Sequence, residues 1–385
     1  MGGCGSSGQE PAASTTTTTT TRVQSHVLAP NGELPRASRV VAGGGLVPRG
    51  FVGASLSFVS ADEGWVLGTA PCARRPCTSL LRTGTVEAIG LAFRPRSRRL
   101  TYRAGRRPLS RQIRFADARH GFAFGPGLWV TSDGASHWHQ VRELGGLRRF
   151  LVLSLEPTGN GSVYARVARG TPDEGPTGPL MLLRAAPYTS AFARIDDLGP
   201  NGDGSEFLVS AGASAYVASG GRLLSFGPVG RHARRLPSRA GCDLASSSAS
   251  APLAICGESE ASGSMGDREA FGTTDGGAHW TRLPDPGKGD GYATEGVAET
   301  STGHAVIGTI SGADSGLLAS FDGGRRWRLV LSFRSGIVLG FADLGFENNL
   351  DGSVIYEPAG LGTAARGILL RTSDGGRSWH HMPYR

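Results

Sequence analysis

The sequence predicts an all-β fold made of repeated small sheets, and three observations support this prediction. One short motif occurs four times, and its copies end at Trp138, Trp280, Trp327 and Trp379, which lie 142, 47 and 52 residues apart. Short apolar runs alternate with turn residues along the chain. Glycine, which suits tight turns, accounts for 60 of the 385 residues. A spacing of about 40–50 residues between copies of a motif indicates a repeat architecture.

Each copy of the motif consists of a Ser or Thr, any residue, Asp, Gly, Gly or Ala, two variable residues and Trp. We expect the carboxylate and the hydroxyl to accept hydrogen bonds from backbone N–H groups of the same turn. The glycines allow a positive φ, and the Trp ring packs between neighbouring sheets. The motif is therefore predicted to be structural. Its hydroxyl, Asp and Trp residues are Thr131, Asp133, Trp138, Thr273, Asp275, Trp280, Ser320, Asp322, Trp327, Thr372, Asp374 and Trp379.

Each repeat contains four short predicted strands, as expected for one blade of a β-propeller. The predicted third strands are Leu80–Arg82, Leu128–Val130, Met181–Arg184, Leu223–Phe226, Ala270–Gly272, Leu317–Ala319 and Ile368–Arg371. They predict a single seven-bladed β-propeller of four-stranded antiparallel blades over residues 49–385, or six blades if the weak third and fourth repeats merge. Residues 1–48, which include the run Thr15–Thr21, are predicted to be a disordered tether because they are too polar to bury a core.

The motif resembles the Asp-box of bacterial-neuraminidase (BNR) repeats, which occur in sialidases, in two-domain xyloglucanases and in photosystem II assembly and stability factors. The segments Phe58–Gly68, Phe115–Gly125 and Leu369–Gly376 are most similar to the photosystem II factors and their actinobacterial relatives. The resemblance covers about residues 50–385 and implies a propeller. It implies little about activity, because the same motif occurs on enzymes and on binding proteins.

Four of the five cysteines are spaced to form two disulfide bonds. Cys72 and Cys77 lie in one loop, and Cys242 and Cys256 flank a predicted hairpin that pairs them across two strands. The alternative is that they are buried free thiols. Two disulfide bonds would indicate an oxidising compartment. No His or Cys lies close enough to complete a tetrahedral metal site, so we expect no metal and no cofactor.

The fifth cysteine, Cys4, is a candidate for lipidation, because the polar, Thr-rich stretch after it resembles the mature start of a bacterial lipoprotein. No basic and apolar signal region precedes it, which implies a truncated chain or a start placed too far downstream. Met1, Gly2 and Ser6 also fit a myristoylation pattern, but that pattern implies the cytosol and conflicts with disulfide bonds. We therefore expect an extracytoplasmic monomer, either secreted or held at the cell envelope by a lipid anchor only.

The formal net charge of +8 comes from arginines that cluster in predicted loops. If the motif joins third and fourth strands, the loops between second and third strands lie on the opposite face, together with the links between blades. Sialidases have their active site on that face. A basic face favours an acidic protein segment, an anionic glycan or an anionic membrane surface, and the alternative is a solvated loop without a ligand. Nucleic acid is not expected, because no stacking series of aromatics accompanies the arginines. The candidates are Arg74, Arg75, Arg96, Arg98, Arg99, Arg103, Arg106 and Arg107.

We expect a non-enzymatic scaffold for recognition or complex assembly, and the alternative is a sialidase-like or other glycoside hydrolase that acts on extracellular glycans. Sialidases have an Arg-Ile-Pro or Arg-Leu-Pro motif before their first Asp-box and a Tyr–Glu nucleophile pair. Here Arg235-Leu-Pro and Arg282-Leu-Pro occur late in the chain. Tyr356 and Glu357 are adjacent, so on a strand their side chains would point to opposite faces. Spacing singles out no acidic pair, and no catalytic residue is assigned; the acidic residues considered are Glu258, Asp267, Asp285, Asp290 and Asp314.

Overall fold

The computed structural model describes most of the chain from residue 50 onwards, and the described residues form 28 β-strands. The described ranges are 50–71, 76–82, 112–125, 127–171, 174–199, 208–219, 221–228, 230–238, 242–247, 252–257, 268–287, 292–311, 314–334, 340–357 and 367–384. The predicted tether and Cys4 lie outside these ranges. Within them, no helix has both the length and the apolar character needed to cross a bilayer.

Four sheets are antiparallel meanders of consecutive strands. Their strands are β1 (Val52–Phe58), β2 (Gly64–Pro71) and β3 (Pro76–Arg82); β4 (Gln112–Phe115), β5 (Gly121–Phe124), β6 (Leu128–Thr131) and β7 (His139–Val141); β8 (Phe150–Pro157), β9 (Val163–Thr171), β10 (Gly175–Ala185) and β11 (Phe192–Gly199); and β25 (Phe341–Phe346), β26 (Gly352–Tyr356), β27 (Ile368–Thr372) and β28 (His380–His381).

The remaining strands form two sheets, one with the order β16-β18-β19-β20 and one with the order β15-β14-β13-β12-β17-β21-β22-β23-β24. Their bounds are β12 (Leu208–Ala211), β13 (Ser214–Ser219), β14 (Arg222–Gly227), β15 (Gly230–Arg235), β16 (Cys242–Leu244), β17 (Ser246–Ser247), β18 (Leu253–Cys256), β19 (Glu269–Gly272), β20 (Thr281–Leu283), β21 (Ala293–Glu299), β22 (Ala305–Ser311), β23 (Asp314–Ser320) and β24 (Arg328–Arg334).

The prediction of seven separate blades is wrong, because the propeller has six blades when each hydrogen-bonded sheet is counted as one. The reason is the two-residue strand β17. It pairs in parallel with β12 through Ser247 and Ala211, and with β21 through Ser246 and Ala298. These bridges join two four-stranded antiparallel groups, β12–β15 and β21–β24, into one nine-stranded sheet. The third and fourth repeats do not merge, since β8–β11 and β12–β15 belong to different sheets. The all-β propeller with four-stranded antiparallel blades is confirmed.

The first strands of the antiparallel groups contact one another in a closed circle. The circle runs through β1, β4, β8, β12, β17, β21 and β25, and β25 contacts β1 again. Each predicted third strand lies within an observed strand, in the order β3, β6, β10, β14, β19, β23 and β27. The apolar periodicity of the sequence therefore places the repeats correctly, although it does not reveal how neighbouring sheets are joined.

The core lies in layers between neighbouring sheets. Trp65 of β2 stacks on Phe115 of β4, with ring centroids 3.5 Å apart, and the motif residue Trp138 belongs to the same apolar cluster. Phe333 of β24 stacks on Tyr356 of β26 at 4.2 Å. Large aromatic rings between sheets bury much apolar area for each residue, which compensates for the short strands.

Cys242 in β16 and Cys256 in β18 lie directly opposite each other in the antiparallel register and form a disulfide bond. The hairpin between them therefore has the geometry that the sequence spacing predicts. The other predicted pair cannot be described in the same way, because Cys72 and the side chain of Cys77 lie outside the described parts of the chain.

Candidate functional site

The propeller has two faces, which we name by the turns that form them. On the motif face, three of the four motif turns hydrogen bond to described turns between first and second strands: Gly134 N–H donates to Arg119 O at 2.9 Å, Gly323 N–H to Gly303 O at 3.2 Å, and Gly375 N–H to Leu350 O at 2.8 Å. On the loop face, the links between sheets meet the loops between second and third strands, as where Gly170 N–H donates to Arg149 O at 3.4 Å. The two kinds of turn that the sequence predicts to share a face are hydrogen-bonded to each other on the motif face.

The motif turns are closed by their own side chains. Thr131 Oγ1 donates to Asp133 Oδ1 at 2.9 Å, and Asp133 Oδ1 accepts from His137 N–H at 2.9 Å. Equivalent bonds occur in the other three copies, for example between Thr372 and Asp374 at 2.8 Å. Burial raises the pKa of Asp133, but the hydrogen bonds from His137 and Thr131 outweigh it and lower this pKa to about 2. These carboxylates are therefore held as charged structural acceptors.

The loop face carries a basic groove of about 570 Å³ beside β9 and β10. Its cationic side chains are Arg148 and Arg149, from the link before β8, and Arg169 near the end of β9. Arg149 Nη2 contacts both carboxylate oxygens of Glu174 at 3.1 Å, and Arg148 Nε lies 3.5 Å from Glu143 Oε2. The groove therefore holds three guanidinium groups and two carboxylates, and its net charge is positive.

The arginines that the sequence singles out fall where the structure gives no description. Arg74, Arg75, Arg96, Arg98, Arg99, Arg103, Arg106 and Arg107 all lie outside the described residues. The groove at Arg148, Arg149 and Arg169 is a second basic surface on the loop face, and it lies within the described residues. Sequence reasoning did not select these three, because they are separated along the chain and come together only when β9 runs beside the link from β7.

A second cavity, of about 330 Å³, lies at the motif-face end of the channel enclosed by the first strands. It is lined by residues at the ends of β1, β4, β8 and β25. Arg114 crosses this space, with its Nε 3.0 Å from Glu156 Oε1 and its Nη2 2.8 Å from Asp343 Oδ1. Asp343 Oδ2 also accepts a hydrogen bond from Leu56 N–H at 2.8 Å and one from Ser55 Oγ. We call Ser55, Arg114, Glu156 and Asp343 the channel cluster.

Burial and charge act in opposite directions within the channel cluster. Burial alone would lower the pKa of Arg114, but Asp343 and Glu156 raise it above its usual value, so the guanidinium stays charged. Burial raises the pKa of Glu156, and the charge of Arg114 opposes that effect. In the sequence the cluster appears only as single charged residues within short strands, such as Arg114 in Gln112–Phe115, and this pattern does not show which strands meet.

A pair of carboxylates lies on neighbouring first strands nearer the loop face. Asp243 of β16 accepts a hydrogen bond from Thr294 Oγ1 of β21, which places it close to the next residue, Glu295. Burial raises the pKa of Asp243, and a hydrogen bond from Thr294 Oγ1 and the charge of Arg268 oppose this. Partial desolvation and the charge of Asp243 raise the pKa of Glu295, although its side chain is largely exposed to solvent. Spacing along the chain could not identify this pair, because the two residues lie on different strands, β16 and β21.

Glu299, at the end of β21, is a half-buried titratable group whose pKa shift has no contribution from a neighbouring charge. Burial raises its pKa from 4.5 to about 7, and its Oε2 accepts no hydrogen bond from the described part of the chain. Between pH 4.5 and 7 the folded protein holds a proton that the unfolded chain releases, so the stability of the fold decreases as the pH rises through this window.

We expect Glu299→Gln to raise the thermal midpoint of unfolding at pH 8 and to leave it nearly unchanged at pH 4. At pH 8 the wild-type carboxylate is charged and partly buried, whereas the amide is neutral; at pH 4 both side chains are neutral in the folded state. Scanning calorimetry of both proteins at the two pH values measures the difference. An equal shift at pH 4 and pH 8 would show that the titration of Glu299 is not its cause.

The sialidase-type sequence motifs do not form a catalytic arrangement among the described residues. Arg235 ends β15, and its carbonyl oxygen accepts a hydrogen bond from Trp280 Nε1 at 3.1 Å. Arg282 lies in β20 and pairs with Glu269 at 2.7 Å. Tyr356 is fully buried and stacked on Phe333.

Two of the acidic residues considered as catalytic candidates already have partners. Asp314 lies 3.6 Å from Arg334, and Asp285 accepts a hydrogen bond from Gly287 N–H at 2.9 Å. Glu258, Asp267 and Asp290 lie outside the described residues.

Comparison with protein-family models and with curated proteins finds no match. Among solved structures, the chain is similar to YCF48 bound to a D1 peptide, with a TM-score of 0.55 and 16% identity over 86% of this chain and 95% of that one. It is also similar to a PL25 ulvan lyase, a polysaccharide lyase, with a TM-score of 0.50 and 12% identity over 86% and 96%. A third similar structure is a puromycin-hydrolysing peptidase of Mycobacterium tuberculosis, with a TM-score of 0.53 and 12% identity over 87% and 56%. These relatives include binding proteins and enzymes, so the likeness establishes a β-propeller fold and leaves the activity open.

Proposed function

We propose that this chain is a recognition scaffold that binds an acidic polypeptide segment on its loop face, outside the cytoplasm. The observation that carries the proposal is the basic groove at Arg148, Arg149 and Arg169. Guanidinium groups bind carboxylates through paired, directional hydrogen bonds, which suits Asp and Glu side chains. Arg74, Arg75 and the arginines at 96–107 lie outside the described residues, and the sequence predicts them on this same face. We also propose that the four motifs are BNR-type Asp-boxes and that Cys4 is the site of a lipid anchor.

The groove has free capacity for an anionic partner. Arg169 is exposed and takes part in none of the ion pairs of the described chain. The pairs Arg148–Glu143 and Arg149–Glu174 are exposed, so each contributes little and can be exchanged for a partner's carboxylate at low cost. The structure of YCF48 bound to a D1 peptide supports the proposal by analogy, since a protein of similar fold binds a peptide.

The test is binding of a fluorescein-labelled oligoglutamate peptide, measured by fluorescence anisotropy at low and high salt. We expect replacement of Arg148, Arg149 and Arg169 by Ser to weaken binding by about tenfold or more, since electrostatic recognition loses its complementary charges. The matched control replaces Arg119, Arg325 and Arg326, three exposed arginines on motif-face turns, by Ser. Equal losses in the two triple variants would show that net charge rather than the groove binds the peptide, and would contradict the proposal.

A glycoside hydrolase is the second candidate, and the Asp243–Glu295 pair is the observation that favours it. Glycosidic bonds are commonly cleaved by two carboxyl groups, one protonated and one charged, and two neighbouring carboxyl groups whose pKa values are raised favour sharing one proton. If this activity exists, fluorogenic sialosides or glucosides are hydrolysed, and Asp243→Asn abolishes the turnover without unfolding the protein. Absence of turnover over the whole substrate panel excludes these substrates and favours the scaffold.

A further inference from the structure

We propose that the motif-face end of the channel binds an organic monocation, meaning a primary ammonium or guanidinium group attached to a short apolar stem. This site is separate from the basic groove, which lies on the loop face, and the two proposals stand or fall independently. The proposal depends on the charge balance, the buried polar atoms and the apolar walls of the 330 Å³ cavity.

The cavity holds more negative than positive charge. The carboxylates that line it belong to Glu156, Asp343 and Glu347, whereas Arg114 is the cationic group in its lining. Arg371 adds a second positive charge from outside the lining, because its Nη1 lies 3.3 Å from Glu347 Oε1. Three carboxylates therefore face two guanidinium groups, and one negative charge is left uncompensated. A surplus charge in a low-dielectric cavity is unfavourable unless it takes up a proton or binds a cation.

The polar atoms of Glu347 show the same imbalance. Its Oε1 accepts hydrogen bonds from Ser353 Oγ at 2.7 Å and from Arg371. Its Oε2 is buried and accepts no hydrogen bond from any described residue, and only 4% of the side chain is exposed. Burial raises the pKa of Glu347, against the charge of Arg371. A buried carboxylate oxygen normally has a donor, so the cavity lacks a donor at this position.

The shape of the cavity selects an organic cation rather than a metal ion. No group of three His, Cys, Asp or Glu side chains is arranged to hold a metal within the described ranges. Apolar side chains surround the carboxylates, including Phe58, Leu344 and Phe346. Phe58 already carries one guanidinium over its ring, that of Arg371 at 4.0 Å. Carboxylates beside aromatic and aliphatic walls suit the charged head and the stem of an alkylammonium or alkylguanidinium group.

The test is isothermal titration calorimetry at pH 7.5 with four probes: butylammonium and methylguanidinium as free cations, N-acetyl-lysine methylamide as a polypeptide side chain, and 1-butanol as the neutral match. We expect the free cations to bind and butanol not to bind. Binding of the lysine derivative with equal or higher affinity identifies a partner's side chain as the source of the cation, whereas its failure to bind identifies a free small molecule. If no cation binds, or if butanol binds equally well, the proposal is overturned.

The diagnostic variant is Glu156→Gln, which removes the surplus charge and keeps the size of the side chain. We expect it to weaken butylammonium binding by at least about tenfold, while Asp62→Asn, an exposed carboxylate on a motif-face turn, leaves binding unchanged. Circular dichroism checks that the variant is folded. If it is not, the pH dependence of wild-type binding replaces it, because affinity must decrease as the carboxylates of the cavity, Glu156 and Glu347 among them, take up protons at low pH. Binding that is independent of both Glu156 and pH contradicts the proposal.

Discussion

Replacing Asp343 with alanine is expected to lower the free energy of unfolding by about 3–5 kcal/mol, because Arg114 keeps only Glu156 as an ionic partner and two further donors lose their acceptor. Asp343 Oδ1 binds Arg114 at 2.8 Å, and its Oδ2 accepts from Leu56 N–H and from Ser55 Oγ. Its side chain is 9% exposed, so water cannot replace these bonds fully. Urea unfolding followed by circular dichroism measures the loss.

Two further variants separate charge from shape in this prediction. Asp343 has a φ of 53°, a left-handed conformation that Asn adopts more readily than Ala, so Asp343→Asn keeps the backbone and loses the charge. We expect it to be less destabilising than Asp343→Ala. Asp314→Ala, which breaks the exposed pair with Arg334, should cost no more than about 1 kcal/mol. A loss for Asp343→Ala as small as that for Asp314→Ala would contradict a central role for the channel cluster.

The channel cluster matters because it connects parts of the ring that are far apart along the chain. Arg114 and Asp343 are separated by 229 residues, and Ser55 and Asp343 by 288. Within the described residues, the first and last sheets exchange no strand, since β1–β3 and β25–β28 each pair among themselves. Side-chain contacts therefore join the two ends of the ring here. Tyr384 contributes nearby, as its hydroxyl donates to Gly367 O at 2.7 Å and its ring packs edge-on against Phe51.

The sequence predicts local features of this fold much better than long-range ones. The third strands and the Cys242–Cys256 pairing follow from patterns within a few tens of residues, and the described structure contains them. The blade count fails because β17 has only two residues, and its parallel partners Ala211 and Ala298 lie in other repeats. No periodicity in the sequence predicts parallel bridges between first strands, because these bridges depend on how closely the strands pack around the central channel.

The candidate sites likewise depend on long-range contacts that the sequence does not predict. Clustering along the chain points to arginines 74–107, whereas the groove that the structure describes combines Arg148 and Arg149 with Arg169, on a different strand. The channel cluster draws each of its members from a different strand. Its residues look unremarkable in the sequence because a single charge in a short strand is also compatible with an exposed edge. These residues form one site only because the first strands lie side by side around the channel in the folded protein.

The second substitution that we expect to cause a large loss of stability removes a motif tryptophan. We expect Trp379→Ala to lower the free energy of unfolding by about 3–5 kcal/mol, the range for a fully buried aromatic side chain. Trp379 is 1% exposed and packs in a cluster that contains Val306, Leu317 and Leu370, from the nine-stranded sheet and the last sheet. Its removal leaves a cavity between two sheets that the backbone cannot close, because the hydrogen bonds of the motif turn hold Asp374 and Ser378 in place.

Trp280 is the matched comparison, since it occupies the same motif position but is only partly buried. Trp280→Ala should be clearly less destabilising than Trp379→Ala, because less apolar area is lost and the Nε1 hydrogen bond to Arg235 O is the main specific contact removed. Urea unfolding monitored by far-ultraviolet circular dichroism avoids the change in fluorescence that either substitution causes. If the two variants lose equal stability, the tryptophan acts through the local motif turn that both copies share. A much greater loss for Trp379 would instead show that it acts by packing one sheet against the next.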